Sequence, residues 1–330
     1  MHTMEQRLLG RTGRSVSVVG LGTWQLGADW GAVREEDALD VLDAAVEEGV
    51  TFFDTADVYG DGRSEQLIGR YLRERPDAGV FVATKMGRRA EQSPENYVLD
   101  NFRSWTDRSR ENLGVDTLDL VQLHCPPSSV HSSGAVFDAL DTLVAEKRIA
   151  AYGVSVETCA EALAAITHPG TASVQIILNP FRLKPLEEVL GAAAEAGVGI
   201  IARVPLASGL LSGKYTEETV FAGDDHRTYN RHGEAFDQGE TFSGVGFRTG
   251  VEAAAEFAAL APDGATPAQT ALRWIIQQPG VSSVIPGARS AEQARANAAA
   301  AALPALPEAT LGSVRKLYDE RIRAQVHHRW

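Results

Sequence analysis

Eight short β-branched or apolar runs alternate with longer amphipathic stretches, and that alternation narrows the available folds more than any other feature of the chain. The runs are Ser17 to Leu21, Thr51 to Phe53, Val80 to Ala83, Leu118 to Leu123, Ala150 to Val154, Ser173 to Leu178, Gly199 to Val204 and Val281 to Ile285. From Thr51 to Gly199 their starts lie 29, 38, 32, 23 and 26 residues apart, each interval long enough for a crossover helix between parallel strands. Helical spacing fills the gaps, as in Ala38, Leu39, Val41, Leu42, Ala45 and Val46, or Ala271, Leu272, Trp274, Ile275 and Ile276. Eight strands alternating with helices predict a (β/α)8 barrel. A doubly wound dinucleotide-binding sheet would need three glycines in its first turn. The candidate stretch from Gly20 to Gln25 lacks the third and opens no helix promptly.

Arg7 to Val16 reads as a hairpin around a glycine-bearing turn, placed to plug the bottom of the barrel. The interval between the seventh and eighth runs is far longer than the others. It holds a polar, glycine-rich segment from Ser208 to Gly250, expected to be a lid or binding loop. Helices are predicted near Val251 to Ala261 and Pro267 to Gln277, with a last helix, Pro307 to Arg323, packing across the outside or bottom. No composition break suggests a second unit, so residues 1–330 read as a single domain. A chain of 330 residues buries roughly three quarters of its unfolded surface and needs no disulfide or metal staple. Its two cysteines, Cys125 and Cys159, fit a reducing compartment. A formal charge of −13 argues against nucleic acid or an anionic membrane as partner. No apolar run of signal-peptide length occupies Met1 to Gly10, and the chain is read as soluble and cytoplasmic. A homo-oligomer is compatible with all of this.

Enzymes of this architecture place their sites at the C-terminal ends of the strands. Here the runs lead into Asp54, Lys85, His124, Ser155 and Asn179, and Tyr59 follows Asp54 by five residues. Singly, each has a plain structural role: Asp54 as a loop cap, Lys85 as half of an ion pair, His124 as a core imidazole, Tyr59 as packing. Together an acid, a lysine, a histidine and a tyrosine on one rim form a proton-transfer set. The motifs Phe52-Phe53-Asp54-Thr55-Ala56-Asp57-Val58-Tyr59-Gly60, Thr84-Lys85, Leu123-His124 and Ile285-Pro286-Gly287-Ala288-Arg289, in this order and spacing, strongly resemble the aldo-keto reductase superfamily, including its potassium-channel β-subunit-like members. The resemblance implies a barrel that binds NADPH or NADP+ across its mouth, and it puts Asp54, Tyr59, Lys85 and His124 on the family's catalytic tetrad. Tyr59 would give a proton to the carbonyl oxygen, and His124 would orient that oxygen. Lys85 would lower the phenol from its ordinary value near 10, by roughly 4 kcal/mol at about 4 Å and an effective dielectric of about 20. Asp54 would hold Lys85 in place and charged.

For the cofactor, Ser290 and Gln293 read as a capping box opening a helix, where an N-terminus preceded by Arg289 suits the 2′-phosphate. Gln293 and Asn297 would face the adenosine. The resemblance adds Gly22, Thr23 and Trp24 on the first strand, and Ser155 and Gln175 for the carboxamide. It also adds the Arg203, Pro205 and Leu206 corner, Ser208, Gly209 and Lys214 at the pyrophosphate, and Gly287. Arg203 stands where relatives carry an aromatic residue. Its charge is expected to disfavour the cationic oxidised ring. Trp24, Trp30 and Trp105 are candidates for the substrate pocket. No metal is expected, because Asp224, Asp225, His226 and His232 fit no zinc spacing. The function predicted is NADPH-dependent reduction of a small aldehyde or ketone. The alternatives are an NADPH-binding regulatory subunit and a class I aldolase forming a Schiff base on Lys85.

Overall fold

Alternation along the strands sorts the barrel interior into an apolar floor and a polar rim. The computed structural model describes residues 4–27 and 33–330, so Trp30 lies outside the described residues. A hairpin of β1 (Gln6–Leu8) and β2 (Ser15–Ser17) precedes the barrel strands β3 (Leu21–Gly22), β4 (Phe52–Asp54), β5 (Phe81–Met86), β6 (Leu120–His124), β7 (Tyr152–Ser155), β8 (Thr171–Ile177), β9 (Gly199–Arg203) and β10 (Val281–Val284). These eight are parallel and hydrogen-bonded in sequence order. Bridges from Val19 to Val284 and from Gly22 to Gly287 close the ring. Side chains two apart on a strand share a face. Phe52 therefore sits below Asp54, Phe81 and Ala83 below Lys85, Leu120 below Gln122 and His124, and Ile201 below Arg203. The floor residues Phe52, Phe81, Ala83, Leu120, Ile201 and Ile285 cluster with Leu9 and Val16 of the hairpin. The plug is as expected, and its approach is close: a Cβ on Gly10 would fall 2.1 Å from the Ala172 carbonyl oxygen.

The opposite strand faces, with Phe53, Val82, Val121, Val154, Val174 and Ile200, join the larger core beneath the helices. Those helices are α1 (Glu35–Glu47), α2 (Arg63–Glu74), α3 (Leu99–Leu113), α4 (Gly134–Ala145), α5 (Cys159–Ile166), α6 (Lys184–Glu188), α7 (Leu190–Glu195), α8 (His226–Tyr229), α9 (Phe247–Ala258), α10 (Pro267–Ile276), α11 (Ala291–Ala298), α12 (Glu308–Leu317) and α13 (Arg323–Val326). Local chemistry starts several of them. Thr158 with Glu161 forms a capping box on α5, as does Thr266 with Gln269 on α10, where Pro267 occupies the first turn. No helix among the described residues is long and apolar enough to cross a membrane.

Two expectations need correction. The run Ser17 to Leu21 is not one strand: Ser17 belongs to the hairpin and the barrel strand is Leu21–Gly22. At Ser17 side chains replace the ladder, its amide donating to Thr51 Oγ1 and its hydroxyl accepting from the Thr51 amide, both at 3.0 Å. The last helix is helical throughout, as expected, but runs further, from Glu308 to Val326. It passes through a π turn, Tyr318–Ile322, into α13, which packs against a turn of the long loop at the mouth rather than only against the outside.

The loop between β9 and α9 is ordered by short turns, Ala207–Ser212, α8, Gln238–Glu240 and Phe242–Gly244. Its first residues are strained. Val204, Ala207 and Ser208 have φ of 50, 48 and 54°, values that L residues rarely adopt and that are often found beside binding sites.

Candidate active site

The polar rim converges on one buried ammonium. Lys85, 1% exposed at the top of β5, has three hydrogens to donate and three acceptors for them. They are Asp54 Oδ1 at 2.5 Å, the Thr55 carbonyl oxygen at 2.9 Å and the Tyr59 phenol oxygen at 3.2 Å. The other carboxylate oxygen of Asp54 accepts from Gln122 Nε2 at 3.1 Å and from Gln175 Nε2 at 2.7 Å. Both oxygens of Asp54 are thereby engaged, by three donors in all, so the pair is buried without leaving either oxygen unmet. Because Lys85 donates to the phenol oxygen, the phenol's own hydrogen is left for a carbonyl.

Burial works against the charge of Lys85, but Asp54 and Tyr59 outweigh it and hold the ammonium above its ordinary value. Burial also pushes the Tyr59 phenol up, and the pull of Lys85 offsets this only in part. The expected lowering of the phenol is therefore corrected: desolvation exceeds the attraction of a single ammonium whose charge Asp54 already answers. His124 lies edge-on to Tyr59, ring centroids 5.9 Å apart. Burial, then Arg88, Lys85 and Arg203, depress it well below its ordinary value, so it is neutral. Its buried Nδ1 has no partner among the described residues.

A cleft of about 360 Å³ opens above this group. Its lining runs from Asp54 and Tyr59 past Gln175 and Arg203 to Arg289 and Gln293, and includes Gly22, Thr23, Trp24, Pro205, Leu206, Ser208, Gly209 and Gly287. Other expected residues fall elsewhere. Lys214 is exposed on the turn after Gly213, outside the lining. Ser155 is buried below the cleft, its hydroxyl 3.5 Å from the Cys125 sulfur. Asn297 donates to the Gly287 carbonyl oxygen at 3.1 Å. Ser290 does cap α11, accepting from the Gln293 amide at 3.2 Å, but Gln293 Oε1 accepts from the Arg289 amide, so the box is not reciprocal. The Ser208 hydroxyl is taken up by the loop, accepting from the Phe242 amide at 3.0 Å and donating to the Glu240 carbonyl oxygen at 3.2 Å. Trp105 packs with Tyr97 and Phe102 away from the cleft, whereas Trp24 stands 6.2 Å from Tyr59, ring to ring.

Arg203 also differs from expectation. It donates to Glu157 Oε2 at 2.8 Å and the Val156 carbonyl oxygen at 2.9 Å, with Glu240 Oε2 3.6 Å away. Arg88 donates to Glu240 Oε1 at 2.7 Å. Two guanidiniums face two carboxyl groups: Arg88 and Arg203 outweigh burial and keep Glu240 ionised, whereas burial pushes Glu157 up to about 7 against the pull of Arg203, so the cationic bias expected from Arg203 is offset in large part rather than fully. Cys125, Glu157 and Glu240 bring ligand-type atoms within 4.8 Å of one another, but these same guanidiniums already occupy both carboxylates. Residue-by-residue reading missed Gln122, Arg88, Glu157 and Glu240. A glutamine inside an apolar strand and charged residues just beyond two strand ends were the available signals; Glu240 offered none.

The barrel and its acid–lysine–tyrosine–histidine rim define a class, a (β/α)8 oxidoreductase. The sequence profile of the Aldo/keto reductase family matches residues 18–319, and the chain belongs to that family. An uncharacterized oxidoreductase of Mycobacterium bovis is 35% identical over 294 residues, covering 87% of this chain and 84% of that protein. Aldo-keto reductase YhdN of Bacillus subtilis is 29% identical over 302 residues, 89% and 87% of the two chains. Among solved structures, the holo form of aldo-keto reductase AKR11C1 from Bacillus halodurans superposes with a TM-score of 0.77 at 25% identity, covering 95% and 96%. The glycerol dehydrogenase AKR11B4 of Gluconobacter oxydans gives 0.78 at 27% identity, covering 98% and 97%.

Proposed function

We propose that this chain is an NADPH-dependent reductase of small aldehydes or ketones, reversible in principle, with residues 1–330 acting as one domain. The observation that carries the reading is the 3.2 Å contact between Lys85 Nζ and the Tyr59 phenol oxygen at the cleft floor.

The residues present suit NADPH. One end of the cleft carries the proton donor; the other carries Arg289 and the N-terminus of α11, which suit a phosphate. Between them, buried Gln25 Oε1 has no partner among the described residues and offers an acceptor to a ribose hydroxyl or amide. Bound NADPH supplies a hydride at C4 of the nicotinamide. Tyr59 gives its proton to the carbonyl oxygen as charge develops there, and the ammonium of Lys85 stabilises the phenolate left behind. Asp54, held by Gln122 and Gln175, keeps that ammonium charged and in place. Neutral His124 is a hydrogen-bond donor that aligns the same oxygen. Arg289 would hold the 2′-phosphate, and Trp24 would border the substrate.

The aldolase alternative requires an unprotonated Lys85, and the Asp54 contact opposes that. The regulatory-subunit alternative is separated by turnover. Steady NADPH consumption with a panel of carbonyl compounds supports the reductase, and coenzyme binding without consumption by any of them rejects it.

A further inference from the structure

The Glu240 carboxylate reaches the cleft from a segment that other parts of the chain hold in a strained shape. Phe242, Ser243 and Gly244 run consecutively through left-handed backbone, with φ of 53, 56 and 79°. Two of these three carry side chains, so outside contacts must hold the turn. Arg182 Nη2 donates to the Ser243 carbonyl oxygen at 3.0 Å, and Asn179 Nδ2 donates to Ser243 Oγ at 2.8 Å. The rest of the hold comes from Trp330, which is 5% exposed. Its indole N–H donates to Asp237 Oδ1 at 2.8 Å. Two guanidiniums lie over its ring, Arg182 at 4.0 Å and Arg329 at 4.1 Å from the centroid. It packs so closely on the segment that a Cβ on Gly244 would come 2.3 Å from the ring, and one on Gly239 3.0 Å.

What this grip delivers is charge balance at the cleft. Glu240 sits between Arg88 and Arg203, and it lines the cleft with Arg203, Gln175 and Tyr59. If Glu240 swung away, Glu157 alone would face two guanidiniums, leaving at least one uncompensated positive charge at this end. The nicotinamide ring is cationic when oxidised and neutral when reduced, so such a charge would repel one form and spare the other.

We propose that Trp330 is a positioning residue, a latch that keeps Glu240 between Arg88 and Arg203 and thereby sets the relative affinity for oxidised and reduced coenzyme. This rests on the reading of the cleft as an NADPH site with the nicotinamide beside Gln175 and Arg203. The latch and its electrostatic consequence are separable by variants.

The test is titration of the full chain with NADPH and NADP+, taking the ratio of the two dissociation constants. Glu240→Gln is expected to raise the ratio of the NADP+ to the NADPH constant about tenfold, as one unbalanced charge a few ångströms from the ring would. Trp330→Ala is expected to raise it similarly, and Trp330→Phe, which keeps a flat ring, to restore most of the balance. The double variant Trp330→Ala/Glu240→Gln should shift no further than Glu240→Gln alone, because both changes remove the same carboxylate from the same place. If Trp330→Ala fails to fold, Arg182→Met, which removes one of the two guanidiniums over the ring and the bond to Ser243, should move the ratio in the same direction. A shift with Glu240→Gln but none with Trp330→Ala or Arg182→Met overturns the latch. No shift with any variant overturns the charge balance. Failure of the unaltered chain to bind either coenzyme overturns the NADPH reading itself, and the latch with it.

Discussion

Lys85 and Tyr59, 26 residues apart in sequence, meet at 3.2 Å with the ammonium as donor and the phenol oxygen as acceptor. The direction of that bond matters more than its length. A phenol that receives a hydrogen bond keeps its own proton available, and the phenolate formed when it leaves is already solvated by a cation. Tyr59→Phe removes the proton and leaves the cleft's shape almost intact. Carbonyl reduction should fall by about 10² to 10⁴, the usual worth of one general acid, while NADPH affinity stays within about twofold. Unchanged turnover in an NADPH absorbance assay would refute the role given to Tyr59.

Stability should depend on the same ammonium. Lys85→Met leaves the Asp54 carboxylate buried with two amide donors and no cation. Breaking a buried pair from one side typically costs about 3–5 kcal/mol. Urea denaturation is expected to show a loss of that size, and adding Asp54→Asn should recover part of it by removing the stranded charge. A loss below about 1 kcal/mol would mean that the pair is not what holds the rim.

Arg289 should discriminate between coenzymes. A hydrogen bond to a charged group is worth about 1.5–3 kcal/mol, so Arg289→Ala is expected to weaken NADPH by about 10- to 100-fold. NADH lacks the 2′-phosphate and should change little. Equal losses for both coenzymes, measured by fluorescence titration, would show that Arg289 does not read that phosphate.

Asp57 should make stability fall as pH rises. It is 1% exposed, its Oδ1 has no partner among the described residues, and burial, followed by repulsion from Glu65, pushes its carboxyl up to about 7. The folded state therefore binds the proton more tightly than the unfolded chain, whose carboxyl titrates near 4. The stabilisation is fully present below about pH 4 and is lost as pH climbs through about 7, with a ceiling of about 4 kcal/mol. Asp57→Asn, which cannot ionise, should flatten this part of the profile and be more stable than the parent at pH 8 than at pH 5. Parallel pH profiles for the two proteins would contradict this.

Much of the architecture could be read from local pattern. Strand number, the alternation with helices, the hairpin plug and the long loop all follow from periodicity and turn residues, which act over a few positions. Asp54, Lys85 and His124 were legible because a strand's C-terminal end is a defined place in a barrel, and Tyr59 because it follows within the same short turn. The split at Ser17 was not legible, since it depends on bonds with Thr51, 34 residues away. Neither was the fate of Ser208, whose hydroxyl is taken by a segment more than 30 residues downstream.

Strand periodicity was enough to specify a barrel and the chemical groups that stand on its rim, because both are consequences of which face each strand residue must take. How those groups are neutralised depended on the packed chain. Gln122 and Gln175 were brought to one oxygen of Asp54, Arg203 was turned toward Glu157, and Glu240 was carried in from the long loop. Such pairings are settled by the path of a loop and the rotamers of side chains distant in sequence. A buried charge takes whichever partner the packed chain brings within reach, and no repeat along the chain encodes that choice.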